Sequence, residues 1–128
     1  MIRIAIVDTS VYIAREHGRP RLTDAPAQPV VSVITVAELI AGLLTAPDQH
    51  SKRIRQATLD LALRISPLPV DRSVAGAWAD LRRALRDRKR TMPVNDSWIA
   101  ATAMAHGLPV VTQDDDNMNV PGLAVIRV

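Results

Sequence analysis

The chain has 128 residues, 48% of them apolar, which supports one domain with its own core and excludes a disordered tail. It has no cysteine, so disulfides and thiolate metal sites are excluded, and the expected compartment is a reducing cytoplasm. Sixteen Lys and Arg against 13 Asp and Glu give a net charge of +3, a weak pointer to a polyanionic partner.

The first apolar run, Met1 to Val7, is too short for a signal-peptide core. Arg3 to Val7 is apolar and β-branched and stops at Asp8, which predicts a buried parallel strand. Thr9 to about Glu16 reads as a short helix and Gly18 to Pro29 as a loop. Val30 to Ile34 is expected to be a second strand and Thr35 to Thr45 a helix stopped by Pro47. The apolar stretch Val30–Leu44 is broken by Ser32, Thr35 and Glu38 and is too short to span a bilayer, so no membrane is expected. Over Gln49–Ile65, Ile54, Ala57, Leu61 and Ile65 predict the apolar face of a helix. Leu68–Val70 is a candidate strand.

Asp71 is placed to cap a long helix with Val74, Ala77, Trp78, Leu81 and Leu85 inward and its basic residues outward. Asn95 is placed to cap a helix over Asp96–His106, ended by Gly107. Pro109–Thr112 reads as a strand, Asp114–Met118 as a loop and Leu123–Val128 as a final strand. Alternating strands and helices predict a single α/β domain over 1–128, a three-layer sandwich with a mostly parallel central sheet and helices on both faces. Ligands of such sheets bind beyond the carboxyl ends of the strands, where Asp8, Glu38, Asp96 and Asp114 are expected to converge.

Each acid alone has an ordinary structural explanation. Asp8 is placed to cap the next helix, and Thr35 with Glu38 has the spacing of a capping box. Asp96 in a first helical turn is favoured by the helix dipole, and Asp114, Asp115 and Asp116 fit a solvated loop. Together they are harder to explain. Glu38, one of two glutamates, stands in the most apolar part of the chain, and Asp8 follows a buried strand. Carboxylates near a core cost free energy unless a positive charge neutralises them, and no Lys or Arg lies close in sequence to Asp8, Glu38 or Asp114. A hard divalent cation suits carboxylate oxygens, and magnesium or manganese fits better than zinc where histidine is scarce and cysteine absent. The hydroxyls of Thr9 and Ser10 are placed to orient such a group.

Four segments in order, Ile6-Val7-Asp8-Thr9-Ser10, Ser32–Leu39, Asn95–Ala101 and His106–Asp114, resemble PIN-domain ribonucleases, most of all the VapC-type toxins of toxin–antitoxin pairs. The resemblance spans essentially the whole chain. It implies a PIN fold and magnesium-dependent endonucleolytic cleavage of RNA by metal-activated water, with manganese as a substitute. It also implies a homodimer and a cognate VapB-type antitoxin. Carried over residue by residue, Asp8, Glu38 and Asp96 match the first three acids, and the fourth falls on Asp114 or Asp116. Asp8, Asp96 and that fourth acid are the implied metal ligands, supported by Ser10 and Thr112. Where the family usually has an aromatic residue in the last loop, this chain has Asn117 and Met118.

Six basic residues (Arg82, Arg83, Arg86, Arg88, Lys89, Arg90) fall within nine positions and end six residues before Asp96. A charge run is usually a solvated helix face, but this one carries positive charge towards the acids. Arg82, Arg86, Lys89 and Arg90 are therefore candidate RNA contacts. With one Tyr, two Trp and no Phe, no aromatic stacking platform for bases is expected. Tyr12, Leu43 and Leu44 are candidates for an apolar groove that receives the antitoxin; His17, His50 and His106 look peripheral. The rival readings are a catalytically silent PIN-fold binding module and an aspartate-dependent phosphoryl transferase. The latter wants a second aspartate two residues after the first, where Ser10 stands; a receiver domain wants a late lysine, and none follows Lys89.

Overall fold

The computed structural model describes residues 3–18, 28–117 and 119–128. Within them lie strands β1 (Ile4–Val7), β2 (Gln28–Val30), β3 (Val110–Thr112) and β4 (Val125–Arg127). The helices are α1 (Thr9–Glu16), α2 (Val33–Leu44), α3 (Gln49–Ala62), α4 (Arg72–Asp87) and α5 (Val94–His106). The strands form one parallel sheet in the order β2-β1-β3-β4.

Side chains alternate across a strand, and the core divides accordingly. Ala5, Val7 and Val111 face α1, α2 and α3 through Val11, Tyr12, Val36, Leu39, Leu59 and Ala62. Ile6 and Val110 face the other way, onto Ile99 and Ala103 of α5. Leu81 and Leu85 of α4 pack on the outer side of α5 at Ala100. Helices on both faces make β1 and β3 apolar at nearly every position, as parallel strands require. The predicted α/β sandwich is therefore the observed one, with every strand pair parallel.

Several local expectations are corrected. The second strand ends at Val30, and Val33 and Ile34 already belong to α2. The cause is Ser32, whose side chain accepts the Ile34 N–H as the N-cap. Leu68 brackets this junction with backbone bonds to Val31 and Val33, so the expected Leu68–Val70 strand is a single bridge to Ser32. On α3, Ile54 and Ala57 are exposed, and Ile65, also exposed, lies beyond the helix end at Ala62; the buried residues are Leu59 and Ala62. Two polar ties fix that rotation: Thr58 donates to Glu16 of α1 at 2.6 Å, and Arg55 donates to the Gly42 carbonyl of α2 at 2.6 Å. Asp71 does cap α4, accepting the Val74 N–H. Helix α5 begins at Val94 after Pro93, without a side-chain cap, so Asn95 does not cap it. Gly107 ends it at φ 63°, the left-handed conformation that glycine adopts without steric cost. Asp115–Asn117 forms a 3-10 turn within the expected last loop. Of that segment, Met118 and the Asp116 side chain lie outside the described residues, as do residues 19–27 of the expected Gly18–Pro29 loop.

Candidate active site

Because the sheet is parallel, the carboxyl ends of β1 and β3 open on the same edge, and Asp8 and Asp114 follow them there. Asp8 is 2% exposed. Its backbone N–H continues the ladder to the Val111 carbonyl, which fixes its position relative to β3. It occupies the N-cap position of α1, yet its carboxylate makes no capping bond. Instead Oδ2 accepts the hydroxyl of Thr112 at 2.7 Å and that of Ser10 at 3.1 Å. The capping explanation for Asp8 therefore fails.

Thr112 is fully buried and connects the site to the last loop. Its Oγ1 accepts the backbone N–H of Asp114 at 3.0 Å and the Asn117 amide at 3.4 Å while donating to Asp8. Ser10 accepts the Gln113 N–H at 3.0 Å. One hydroxyl pair thus aligns Asp8 and sets the start of the Asp114 loop. Asn117 is 2% exposed. Its buried amide hydrogen-bonds to Thr112.

Glu38 lies in the second turn of α2, because the helix starts earlier than the sequence suggests, so no capping box forms. It is half-buried and held from both sides. Thr9 Oγ1 donates to its Oε1 at 2.7 Å, and the Asn95 amide donates to its Oε2 at 3.4 Å. The Thr35 hydroxyl stands 2.9 Å from that of Thr9. Glu38 thereby joins the residue after Asp8 to the residue before Asp96. Asp96 lies in the first turn of α5, half-buried, as does Asp114 in its loop. Asp115 faces out and pairs with Arg127 at 2.8 Å. Thr35, Asn95 and Asn117 are site residues that sequence reasoning missed. Their only signal was a polar residue beside an acid or in the last loop.

The donor set fits a hard cation by its chemistry, being all carboxylate and hydroxyl oxygen. Asp8 adds a physical reason: it is a buried carboxylate whose partners are hydroxyls, with no ion pair among the described residues. Among the described residues, however, no three acidic or histidine side chains stand close enough together to form a ready cation cluster. Asp8 and Asp114 share one sheet edge, and Thr9, Glu38 and Asn95 connect it to the turn that bears Asp96.

The basic run occupies the outer face of α4 and the turn after it. Arg82, Arg83 and Arg86 are exposed, Lys89 turns the chain at φ 53°, and Arg90 is half-buried. His17, His50 and His106 are exposed at helix ends, as expected. Of the three groove candidates, Tyr12 is 9% exposed and belongs to the core, which corrects its reading as surface. Burial holds its phenol above the usual range, opposed by the charge of Arg15. Tyr12 lines a cavity of about 190 Å³ with Val7, Val11, Val30, Leu61 and Ile65. Leu43 is partly buried against the same core, and Leu44 is 79% exposed. Among the described residues no helix is long and apolar enough to cross a membrane.

The sequence profile of the family described as PIN domain matches residues 5–123. Ribonuclease VapC4 of Mycobacterium tuberculosis strain H37Rv is 43% identical to this chain, over 99% of this chain and 98% of the relative. Ribonuclease VapC5 of the same organism is 42% identical, over 96% and 92%. The fold is similar to that in the crystal structure of VapBC-5, a member of the VapBC family of toxin–antitoxin systems from Mycobacterium tuberculosis. That match has a TM-score of 0.86 and 37% identity over 98% of each chain.

Proposed function

The chain belongs to the PIN-domain family and, within it, to the VapC ribonucleases, and from that premise we propose that it is a metal-dependent endoribonuclease, the toxin of a toxin–antitoxin pair. The observation that carries the chemistry is Asp8: a carboxylate 2% exposed at the end of a central strand, held among the described residues by the hydroxyls of Ser10 and Thr112 and tied through Thr9 and Glu38 to the helix start that bears Asp96.

Asp8 and Asp96 are the residues that would hold magnesium, with manganese as a substitute, and Asp114 or Asp116 would complete the set. When bound, such a cation neutralises the phosphodiester's charge and acidifies an attacking water. The chain's part is alignment. Thr112 and Ser10 fix which oxygen of Asp8 is engaged, and Thr9 and Asn95 hold both oxygens of Glu38. Hydrolysis adds the water's oxygen to phosphorus, breaks the bond to the 3′-oxygen and leaves the proton there. The products are a 5′-phosphate and a 3′-hydroxyl. Arg82, Arg86, Lys89 and Arg90 contact the RNA.

The direct test is to incubate the purified protein with RNA and map the fragment ends. New 5′-phosphate ends are expected, and RNA left intact under every divalent ion would overturn the reading in favour of a silent binding module. The antitoxin arm is tested by co-purification with a small neighbouring gene product, which should bind and stop cleavage. Leu44→Ser is the variant to use for the groove, since a change at Tyr12 would disturb the core.

Thr112→Val removes one buried hydroxyl at nearly constant volume. It leaves the Asp114 N–H without its acceptor and Asp8 without its shortest donor. The expected cost is about 1–3 kcal/mol of stability, the range for a buried polar group left unsatisfied. Cleavage should fall about 10–100-fold, as for partners that orient a metal ligand. Denaturant unfolding and a cleavage rate on the same preparation check both; unchanged values would remove Thr112 from the site.

A further inference from the structure

The two tryptophans lie 20 positions apart in the sequence, yet their rings stack with centroids 4.3 Å apart and planes 3° from parallel. Trp98 takes one face of Trp78, and the Arg82 guanidinium lies over the ring at 4.9 Å, leaving it the other. The Trp78 N–H donates to Ser97 at 2.9 Å, so the column is fastened to the residue next to Asp96. A cation over an aromatic ring four residues away is by itself an ordinary helix contact. Here it stands in an open cleft of about 910 Å³ whose lining includes Arg83, Arg86, Lys89 and Val94. Ser97 lines the cleft too, so its far wall is the helical turn that carries Asp96. The cleft therefore combines concentrated positive charge, a flat π column and adjacency to the acids. Phosphates need only the first of these. A planar guanidinium backed by stacked indoles also suits a nucleobase, since bases stack on arginine planes as they do on aromatic rings.

We propose that the cleft between the C-terminal half of α4 and the start of α5 is a nucleotide subsite for single-stranded RNA, in which a base stacks on Arg82 while Arg86 and Lys89 hold the flanking phosphates. The inference rests on the nuclease reading for the identity of the polyanion. An acidic protein segment would use the charge but not the column.

The test compares an end-labelled adenine oligoribonucleotide with an abasic strand of equal length and charge. Both are bound to the full-length Asp96→Asn protein in EDTA and followed by fluorescence anisotropy. The base-bearing strand should bind about 10-fold tighter, the scale of one base-stacking contact. Arg82→Lys keeps the charge and removes the plane. It should bring that ratio to near one and leave the salt dependence of binding unchanged. Equal affinity of the two strands, or a ratio that survives Arg82→Lys, overturns the proposal. So does a polyglutamate competitor that outbinds RNA and loses affinity in Arg82→Lys, which would assign the cleft to a protein partner. The two readings fail separately. Unsubstituted protein that never cuts RNA but keeps base-dependent binding overturns the nuclease and leaves the subsite standing. Cleavage without base dependence does the reverse.

Discussion

Asp8→Asn and Asp96→Asn are each expected to abolish RNA cleavage while the protein stays folded. The loss should exceed about 100-fold, because partners one step removed from a metal ligand already reach that range. Asparagine keeps the shape of the side chain and one carbonyl oxygen, which at position 8 can still accept from Thr112 and Ser10. At position 96 it keeps a residue type suited to a helix start. Neutralising one carboxylate on an edge shared with other acids also reduces repulsion, so the metal-free stability should hold or rise slightly. The measurement pairs a cleavage assay with thermal unfolding of the same sample. Full cleavage by a folded Asp96→Asn protein would sink the metal-site hypothesis, and an unfolded variant would show that the acid is structural.

Chelation should have an effect as large. Cleavage is expected to disappear in EDTA, return with Mg²⁺ or Mn²⁺, and stay absent with Ca²⁺, which accepts looser and larger oxygen shells. The absence of a closed three-acid cluster among the described residues sharpens this expectation. Since the described acids form no closed cluster of three, bound metal would complete the site, and activity should titrate with metal concentration. Undiminished cleavage in EDTA would point to a metal-free reaction carried by the same carboxylates.

The residues that read most clearly from sequence are those whose conformation is set locally. The strand-to-acid junction at Val7–Asp8, the Asp71 cap and the Gly107 stop each rest on residues within one turn, and each stands as expected. Val33 and Ile34 misled because an apolar β-branched pair fits a strand or a buried helix equally well. One hydrogen bond, from the Ile34 N–H to the Ser32 hydroxyl, decided between them. The face of α3 was misread for a related reason: its apolar residues outnumber the positions the core can take, and ties to Glu16 and Gly42 chose the rotation. In the site, the acids were visible as charge out of place, but their holders were not. Asn95 looks like a cap until α2 is laid beside it, and Asn117 looks like a missing aromatic until its amide meets Thr112. The tryptophan stack was hidden in the same way. Two tryptophans 20 residues apart are scarce in composition and become a stack only when α4 docks on α5.

That stack also makes the protein its own optical instrument. Trp78 and Trp98 are the chain's entire tryptophan content, accompanied by a single tyrosine and no phenylalanine. Two near-parallel indoles at 4.3 Å couple their transition dipoles, so the near-ultraviolet dichroism of the whole molecule is dominated by one helix–helix contact. Spectral change therefore reports whether α4 rests against the turn bearing Asp96, without any label and independently of the sheet. Denaturant or heat that parts these helices first would erase the coupled signal while the far-ultraviolet helix signal persists.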